Sequence, residues 1–276
     1  MSSNIRNFAS IMVCVGPSND AENRVALAVS LASRFGSRLI GVAAEEAAIP
    51  YLEDGLGTAR PILVENARKA AMEDLGQAEA NFRRGAGSLP DVEWRWSIEE
   101  PNSFIVNQAR AADLVVVARS SSGTSHRLMT IDPSEAVLRL GRPVLVVPHD
   151  CREIFARSVI VAWKDTREAR RAVLDALPFL QRAETVTVLS VDEEASTAGT
   201  EDVCAHLARH GIASRHLARA SLSGSCADTI VDAALEEGSD LIVSGAYGHT
   251  RMREWVFGGV TGDLLAHSPI PCLMSH

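Results

Sequence analysis

Short runs of Val, Ile and Leu alternate along this chain with longer segments in which apolar residues recur every third or fourth position. The continuous runs predict buried β-strands, and the wider spacing predicts amphipathic helices. In the first half we expect strands near residues 9–15, 38–43, 92–98, 113–118 and 143–147. In the second half we expect them near residues 158–163, 185–191, 213–218, 240–244 and 271–275. Strands that alternate with helices in this way predict a parallel sheet with helices on both faces.

The same pattern occurs twice. The segments that begin at Ser10 and Ser158 each contain an apolar run, a polar turn, an amphipathic helix and a second apolar run. Each half also ends with a strand led by Asp, a polar loop, a helix and a short strand led by Pro. The sequence therefore predicts an α/β protein of two tandem, doubly wound, five-stranded parallel sheets of Rossmann-like type. We place one domain at residues 1–150 and the other at residues 151–276.

The first half is longer because of a segment after its second strand. A loop at residues 49–61 precedes a predicted helix from about Ile62 to Arg84. We interpret this segment as a surface lid or a packing helix.

Composition and charge narrow the classes of function. The 276 residues carry a net charge of −8, with acidic and basic residues interspersed. We therefore expect neither a nucleic acid nor a membrane surface as the partner. The apolar run at residues 8–15 is too short for a signal peptide or a membrane span, and the five scattered cysteines fit free thiols better than disulfides. These features predict a cytoplasmic protein.

Candidate chemistry lies after the fourth strand of the second half. The loop there and the start of the following helix contain small residues at close spacing: Gly245, Gly248, Gly258, Gly259, Val260 and Thr261. Glycine lets main-chain N–H groups approach a phosphate, and a helix N-terminus offers unpaired N–H groups and the positive end of its dipole. The hydroxyl of Thr261 adds a donor. The arrangement predicts phosphate binding, and the alternative is that the glycines only form tight turns.

These residues resemble the nucleotide-binding signature of the universal stress protein (UspA-like) family. The opening segment VIVAWKDTREA and the closing segment PCLM also match, and the similarity extends over nearly the whole chain as two copies. The resemblance implies that adenine and ribose lie against the ends of the first two strands, at Ala162, Trp163, Lys164 and Val191. It also implies that the glycines and Thr261 hold the phosphates of ATP, or of AMP, in a stress-response protein.

Two residues depart from the family's pattern. Its nucleotide binders usually carry Asp where this chain has Lys164, and commonly Ser where it has Gly259. Lys164 is either a solvated turn residue or a point charge that reaches a phosphate, and Asp165 could replace the lost carboxylate. Trp163 could stack on a base, although we favour a packing role.

The equivalent positions of the first half carry side chains instead of glycines. They are Ala118, Ser121, Ile131, Asp132, Pro133 and Ser134. Asp132 would place a negative charge where the phosphate should lie, and Pro133 removes an amide hydrogen. We therefore expect no nucleotide in residues 1–150, which would serve as a structural partner domain.

Three functions stay open: a nucleotide-dependent regulatory module, a slow ATPase, and a nucleotide-free interaction scaffold. No residue is assigned as catalytic, although His249 could contact a phosphate or take part in hydrolysis. Mg²⁺ could accompany ATP, but no acidic pair marks a site for it. His206 and His210 share a helix face, and we favour a surface pair over a metal site because no carboxylate motif accompanies them.

The last strand of each half is short, apolar and predicted to lie at a sheet edge: VLVV from Val144 and CLM from Cys272. Unpaired edges of this kind pair readily with other strands. The resemblance implies that the two edges pair with each other, so that the halves form an internal pseudo-dimer. Association of two chains into a homodimer stays open.

Overall fold

The structure, a computed structural model, describes residues 7–18, 20–47, 60–119, 131–192, 199–221, 225–248 and 259–276. The amino-terminal repeat contains the strands β1 (Ser10–Cys14), β2 (Arg38–Ala44), β3 (Val92–Ser97), β4 (Leu114–Ala118) and β5 (Val144–Val147). The carboxyl-terminal repeat contains β6 (Ser158–Trp163), β7 (Thr185–Asp192), β8 (Arg215–Ala220), β9 (Leu241–Gly245) and β10 (Cys272–Ser275). All ten predicted strands occur, and nine of them begin and end within one residue of the predicted bounds.

One predicted strand is shifted by two residues. The apolar pattern places it at residues 213–218, whereas β8 spans Arg215–Ala220. The amide of Ile212 donates to the carbonyl oxygen of Leu207, and the Ile212 side chain is buried. Residues before the strand therefore close the preceding helix, and the strand begins later.

The helices of the amino-terminal repeat are α1 (Asp20–Phe35), α2 (Arg60–Ala86), α3 (Pro101–Gln108) and α4 (Pro133–Arg139). Those of the carboxyl-terminal repeat are α5 (Arg167–Asp175), α6 (Leu177–Leu180), α7 (Thr200–Arg209), α8 (Cys226–Glu236) and α9 (Val260–His267). Polar side chains start several of them. Thr166 and Ser225, for example, accept hydrogen bonds from amides in the first turns of α5 and α8. No described helix has the length and apolarity needed to cross a bilayer.

The ten strands form one sheet in the order β3-β2-β1-β4-β5-β10-β9-β6-β7-β8. Every pairing within a repeat is parallel. The two repeats meet where β5 pairs antiparallel with β10, with Leu145 opposite Leu273. The α/β fold class and the doubly wound parallel sheets are thus as predicted, and the two five-stranded halves share a continuous sheet.

Each face of the sheet carries its own layer of buried side chains. Along β1, Ile11 and Val13 lie in one layer, whereas Met12 and Cys14 lie in the other. The first layer packs under α1, α2, α5, α6 and α7, and the second packs under α3, α4, α8 and α9. Because strands buried on both faces need apolar residues at every position, they read as continuous apolar runs in the sequence.

Aromatic packing joins the two repeats on the α1 face. The ring centroid of Phe179 lies 5.4 Å from that of Phe8 and 5.3 Å from that of Phe35. Arg34 also donates hydrogen bonds of 2.6 and 2.9 Å to the carbonyl oxygens of Ile154 and Phe155, in the connection between repeats. The repeats therefore share a core as well as a sheet.

The additional helix α2 packs on the sheet through its carboxyl-terminal half. Phe82 is fully buried and stacks on Trp94, with ring centroids 5.3 Å apart. A Cβ atom on Gly41 would lie 2.6 Å from the Phe82 ring, so glycine is required beneath it. Of the two interpretations of this helix, packing is the one that the side chains fit. Residues 49–59 of the predicted loop lie outside the described residues.

Candidate functional site

The winding of the carboxyl-terminal repeat reverses between β6 and β9, which are neighbours in the sheet. Open α/β sheets bind ligands beyond the carboxyl ends of the strands at such a switch point. Ala162, half-buried near the end of β6, is paired with Ser244 of β9, and Gly245 follows. The opening strand and the glycine loop, defined here as residues 245–248, therefore meet at one end of the sheet.

Trp163, the next predicted site residue, is 7% exposed and lies in the apolar layer under α5 and α7. A Cβ atom on Gly199 would lie 3.5 Å from its indole nitrogen. The ring therefore fills the core next to the start of α7. This placement agrees with the packing interpretation of Trp163.

The turn after β6 is organised by its own polar groups. The carbonyl oxygen of Lys164 accepts a 2.7 Å hydrogen bond from the amide of Thr166, whose hydroxyl in turn accepts from the amide of Ala169 at 3.2 Å. Lys164 and Asp165 are both exposed, and the Asp165 carboxylate forms an ion pair with Arg170. The carboxylate that could replace the family's Asp is thus already paired.

Close packing against α5 accounts for two of the predicted glycines. A Cβ atom on Gly245 would lie 2.4 Å from the amide nitrogen of Ala169, closer than real Cβ atoms come. A Cβ atom on Gly248 would lie 2.9 Å from a carboxylate oxygen of Glu168 and 3.2 Å from the hydroxyl of Thr166. The backbone contact requires glycine at position 245 without any ligand, a role different from both phosphate binding and tight turns. At position 248 the contacts are with side-chain atoms, which can shift.

Glu168 brings a buried negative charge to the glycine loop. Its side chain, in the first turn of α5, is 4% exposed and is paired with the guanidinium of Arg167. Burial raises the pKa of this carboxyl, but hydrogen bonds from Arg167, its own amide and Thr166 outweigh burial and hold the pKa below its ordinary value. A phosphate beside Gly248 would therefore meet an ionised carboxylate and be repelled unless a cation lay between them.

The first turn of α9 differs from the glycine loop. No side chain of the described residues caps this helix at Gly259, whose φ of 139° and ψ of 165° belong to a region essentially restricted to glycine. Among the described residues, nothing lies within 4 Å of a Cβ atom built on Gly259. The backbone conformation at this position favours glycine. Val260 and Thr261 form the first turn of the helix, where N–H groups lack partners within the helix, as at anion-binding helix N-termini.

The hydroxyl of Thr261 accepts a 3.2 Å hydrogen bond from the amide of Tyr247. This bond joins the glycine loop to the first turn of α9. Val191 is half-buried in β7, next to β6, and lies at the same end of the sheet. The predicted residues His249 and Gly258 lie outside the described residues, as do Arg251 and Arg253.

The amino-terminal repeat shows a different arrangement at the equivalent helix. Asp132 accepts hydrogen bonds from the amides of Ser134 and Glu135, at 2.8 and 3.3 Å, and so caps α4 with its own carboxylate. Pro133 occupies the first helical position. Ala118 stands where the second repeat has Gly245. Ser121 lies outside the described residues.

Buried polar side chains also close the turn after β1. Arg24 is 4% exposed and donates a 2.7 Å hydrogen bond to the carbonyl oxygen of Cys14 at the strand end. The amide group of Asn81, from α2, donates to the carbonyl oxygens of residues 16, 17 and 18 at 3.2–3.3 Å. Burial raises the pKa of the Cys14 thiol to about 12, so the thiol stays neutral.

The described part of the chain offers little evidence for a metal site or for a reactive cysteine. No group of three or more His, Cys, Asp or Glu side chains converges there. The rings of His206 and His210 pack edge to face on α7 with centroids 4.8 Å apart. All five cysteines are free, and burial raises the pKa of Cys272 to about 11.

Glu168 and Tyr247 are the two residues of the site that sequence reasoning did not identify. An acidic residue in a first helical turn is ordinary, because it complements the helix dipole, so Glu168 carries no distinctive signal. Tyr247 stands between two glycines of the signature, where a large aromatic residue is unusual. That contrast could have drawn attention to it.

A continuous α/β sheet whose winding reverses between β6 and β9 defines a Rossmann-like fold. A model described as the universal stress protein family matches residues 7–148 and again residues 156–276. The chain therefore belongs to the universal stress protein family, as two tandem copies.

Solved structures agree with this assignment. A universal stress protein from Archaeoglobus fulgidus DSM 4304 is 14% identical, with 100% of this chain and 99% of that chain covered and a TM-score of 0.70. A protein of unknown function from Pseudomonas aeruginosa PAO1 is 16% identical, with 99% and 94% covered and a TM-score of 0.56. The universal stress protein from Archaeoglobus fulgidus in complex with dAMP is 20% identical over 51% of this chain and 98% of that chain, with a TM-score of 0.33. A search among curated proteins finds no match.

Proposed function

We propose that the carboxyl-terminal repeat binds one adenine nucleotide, ATP or AMP, and that the protein is a nucleotide-dependent regulatory module of a cytoplasmic stress response. The observation that carries this proposal is the first turn of α9, which begins at Gly259 without a side-chain cap from any of the described residues. A helix start of this kind attracts anions through its free N–H groups and its dipole. Membership of the universal stress protein family supports the same site.

The phosphates in this proposal lie at Gly259, Val260 and Thr261, with Gly258 and His249 beside them. They lie away from Gly248, because the ionised carboxylate of Glu168 touches that residue. Mg²⁺ between the phosphates and Glu168 would remove the repulsion.

The base and ribose lie at the carboxyl ends of β6 and β7, near Ala162 and Val191. Lys164 is exposed at this end of the sheet, where it could approach a phosphate as a point charge. Trp163 supports the floor of the crevice from the core and does not stack on the base.

A nucleotide-free interaction scaffold is the second candidate function. It is favoured by the packing of Gly245 against the backbone of α5, which explains this glycine without a ligand. The ion pair between Asp165 and Arg170 points the same way, because it leaves no free carboxylate to replace the family's Asp. No observation on the described residues favours turnover of ATP.

We also propose that the two repeats act as an internal pseudo-dimer. The antiparallel pairing of β5 with β10 supports this, since it covers the edge that each repeat would otherwise expose.

The identity of the ligand can be tested on the protein as it is purified. We expect heat-denatured protein to release close to one equivalent of adenine nucleotide per chain, measured by chromatography of the supernatant. Calorimetric titration with ATP and AMP, with and without Mg²⁺, then gives the preferred form. Absence of released nucleotide, together with no heat at saturating concentrations of either nucleotide, would favour the scaffold.

A further inference from the structure

Tyr247 connects the last helices of the two repeats. Its amide donates to the hydroxyl of Thr261 in the first turn of α9, at 3.2 Å. Its ring packs against the apolar layer that lies under α4 and α9. A residue of the glycine loop thus contacts the layer that the last helices of the two repeats share.

The backbone of Tyr247 is consistent with a residue held by its surroundings. Its φ is 57°, a left-handed conformation that bulky residues adopt rarely. Conformations of this kind persist when surrounding contacts determine them, and they cluster at functional sites. The hydrogen bond to Thr261 and the packing of the ring supply such contacts.

Arg119 secures the other end of α9 from the amino-terminal repeat. One of its guanidinium nitrogens donates to the carbonyl oxygen of Ser268 at 2.8 Å and to that of His267 at 3.2 Å. These are terminal carbonyls of α9, which lack partners within the helix, and a cation there also complements the helix dipole. Arg119 directly follows β4, so it stands where the second repeat has Ala246.

We propose that Arg119 and Tyr247 are positioning residues through which the amino-terminal repeat holds α9 in the orientation that binds phosphate. The inference rests on the proposed function. It gives the amino-terminal repeat a role although its own helix α4 is capped by Asp132. Both ends of the binding helix are tied to a domain that itself takes no nucleotide.

Calorimetric titration with ATP tests both positioning residues. Arg119→Met removes the hydrogen bonds to the end of α9, and Tyr247→Ala removes the ring but keeps the amide. Each change should weaken ATP binding about threefold to tenfold, roughly the effect of one lost hydrogen bond. Arg142 donates to carbonyl oxygens of its own repeat, so Arg142→Met should bind as the wild type does. Equal affinities of Arg119→Met, Tyr247→Ala and the wild type would overturn the proposal.

Hydrogen exchange of the nucleotide-free protein tests, without any ligand, whether Arg119 stabilises α9. Arg119→Met should speed exchange of the amides of α9, whereas Arg142→Met serves as the matched control. Arg142 donates in the same way to the carbonyl oxygens of Ala109 and Arg110, but these lie within its own repeat. Unchanged exchange in α9 of Arg119→Met would show that Arg119 does not stabilise this helix and would overturn the proposal. If exchange is faster in Arg119→Met but the wild type binds no nucleotide, Arg119 does stabilise α9 and the proposed function is wrong.

Discussion

The last helices of the two repeats begin at equivalent positions with opposite chemistry. At α4, Asp132 adopts a φ of −59° and turns its carboxylate onto the amides of the first turn. At α9, Gly259 adopts a φ of 139° and leaves the first turn without a side-chain cap. The described residues thus place a side-chain cap on α4 and none on α9. A side-chain cap satisfies the first amides of a helix, whereas an uncapped helix start is the kind that attracts anions.

The turns after β1 and β6 also differ in the side chains that lie at the strand end. In the amino-terminal repeat, Arg24 bonds to the end of β1, and Asn81 ties the following turn to α2. The residue equivalent to Arg24 in the second repeat is Ala172, a small side chain buried under the sheet. The side chain of Arg24 thus reaches the end of β1, whereas the equivalent position of the second repeat carries only a methyl group.

Gly259→Asp should have the largest effect, because it gives α9 the cap that α4 has. Two like charges about 4 Å apart repel by about 4 kcal/mol at an effective dielectric constant of about 20. We therefore expect the affinity for ATP, measured by calorimetric titration, to fall by at least about a hundredfold. Gly238→Ala is the matched control, since Gly238 also has a positive φ with nothing near its Cβ position. Affinity retained in Gly259→Asp would remove this helix start from the site.

Gly245→Ala should have the next largest effect, on stability. The new Cβ would overlap the backbone of α5, so we expect the free energy of unfolding to fall by about 1–3 kcal/mol or more. Gly262→Ala in α9 has open space around its Cβ and should instead stabilise by about 0.5–1 kcal/mol. Urea denaturation of both variants measures the contrast. Equal stability of the two would mean that Gly245 does not pack as described.

Asp132→Ala removes the cap of α4 and should cost about 1 kcal/mol of stability. We expect no second nucleotide to bind, because Pro133 still lacks an amide hydrogen and Arg24 still closes the strand end. Denaturation measures the loss of stability, and the stoichiometry of ATP binding shows whether a second nucleotide binds. A stoichiometry of two would show that Asp132 alone blocks the first repeat.

The smallest effect concerns pH. The pKa of Glu168 is lower in the folded protein than its ordinary value, so the ionised carboxylate stabilises the fold. This contribution is complete above the pKa of the unfolded chain, about 4.3 for glutamate, and is lost as the pH falls through the folded pKa. The stability of the wild type should therefore decrease more between pH 6 and pH 3 than that of Glu168→Gln. An equal decrease in the stability of the two proteins over this pH range would contradict the prediction.

The local pattern of apolar and polar residues was sufficient to predict the strands, the helices and the duplication. Continuous apolar runs and helical spacing can be seen directly in the sequence. The local pattern also identified the contrast between Asp132 and Gly259, since capping depends on neighbouring residues. The role of Gly245 could not be predicted, because it depends on the approach of α5 from far along the chain. The same holds for Arg119, whose partners His267 and Ser268 belong to the other repeat.

The central claim is that the first turn of α9, and not that of α4, meets the ligand. Nuclear magnetic resonance of nitrogen-15-labelled protein during titration with AMP reports on both turns at once. We predict saturable shifts of the Val260 and Thr261 amide signals, with the Ser134 and Glu135 amides shifted far less. Unmoved signals from Val260 and Thr261 at saturating AMP, or larger shifts at Ser134 and Glu135, would contradict the account.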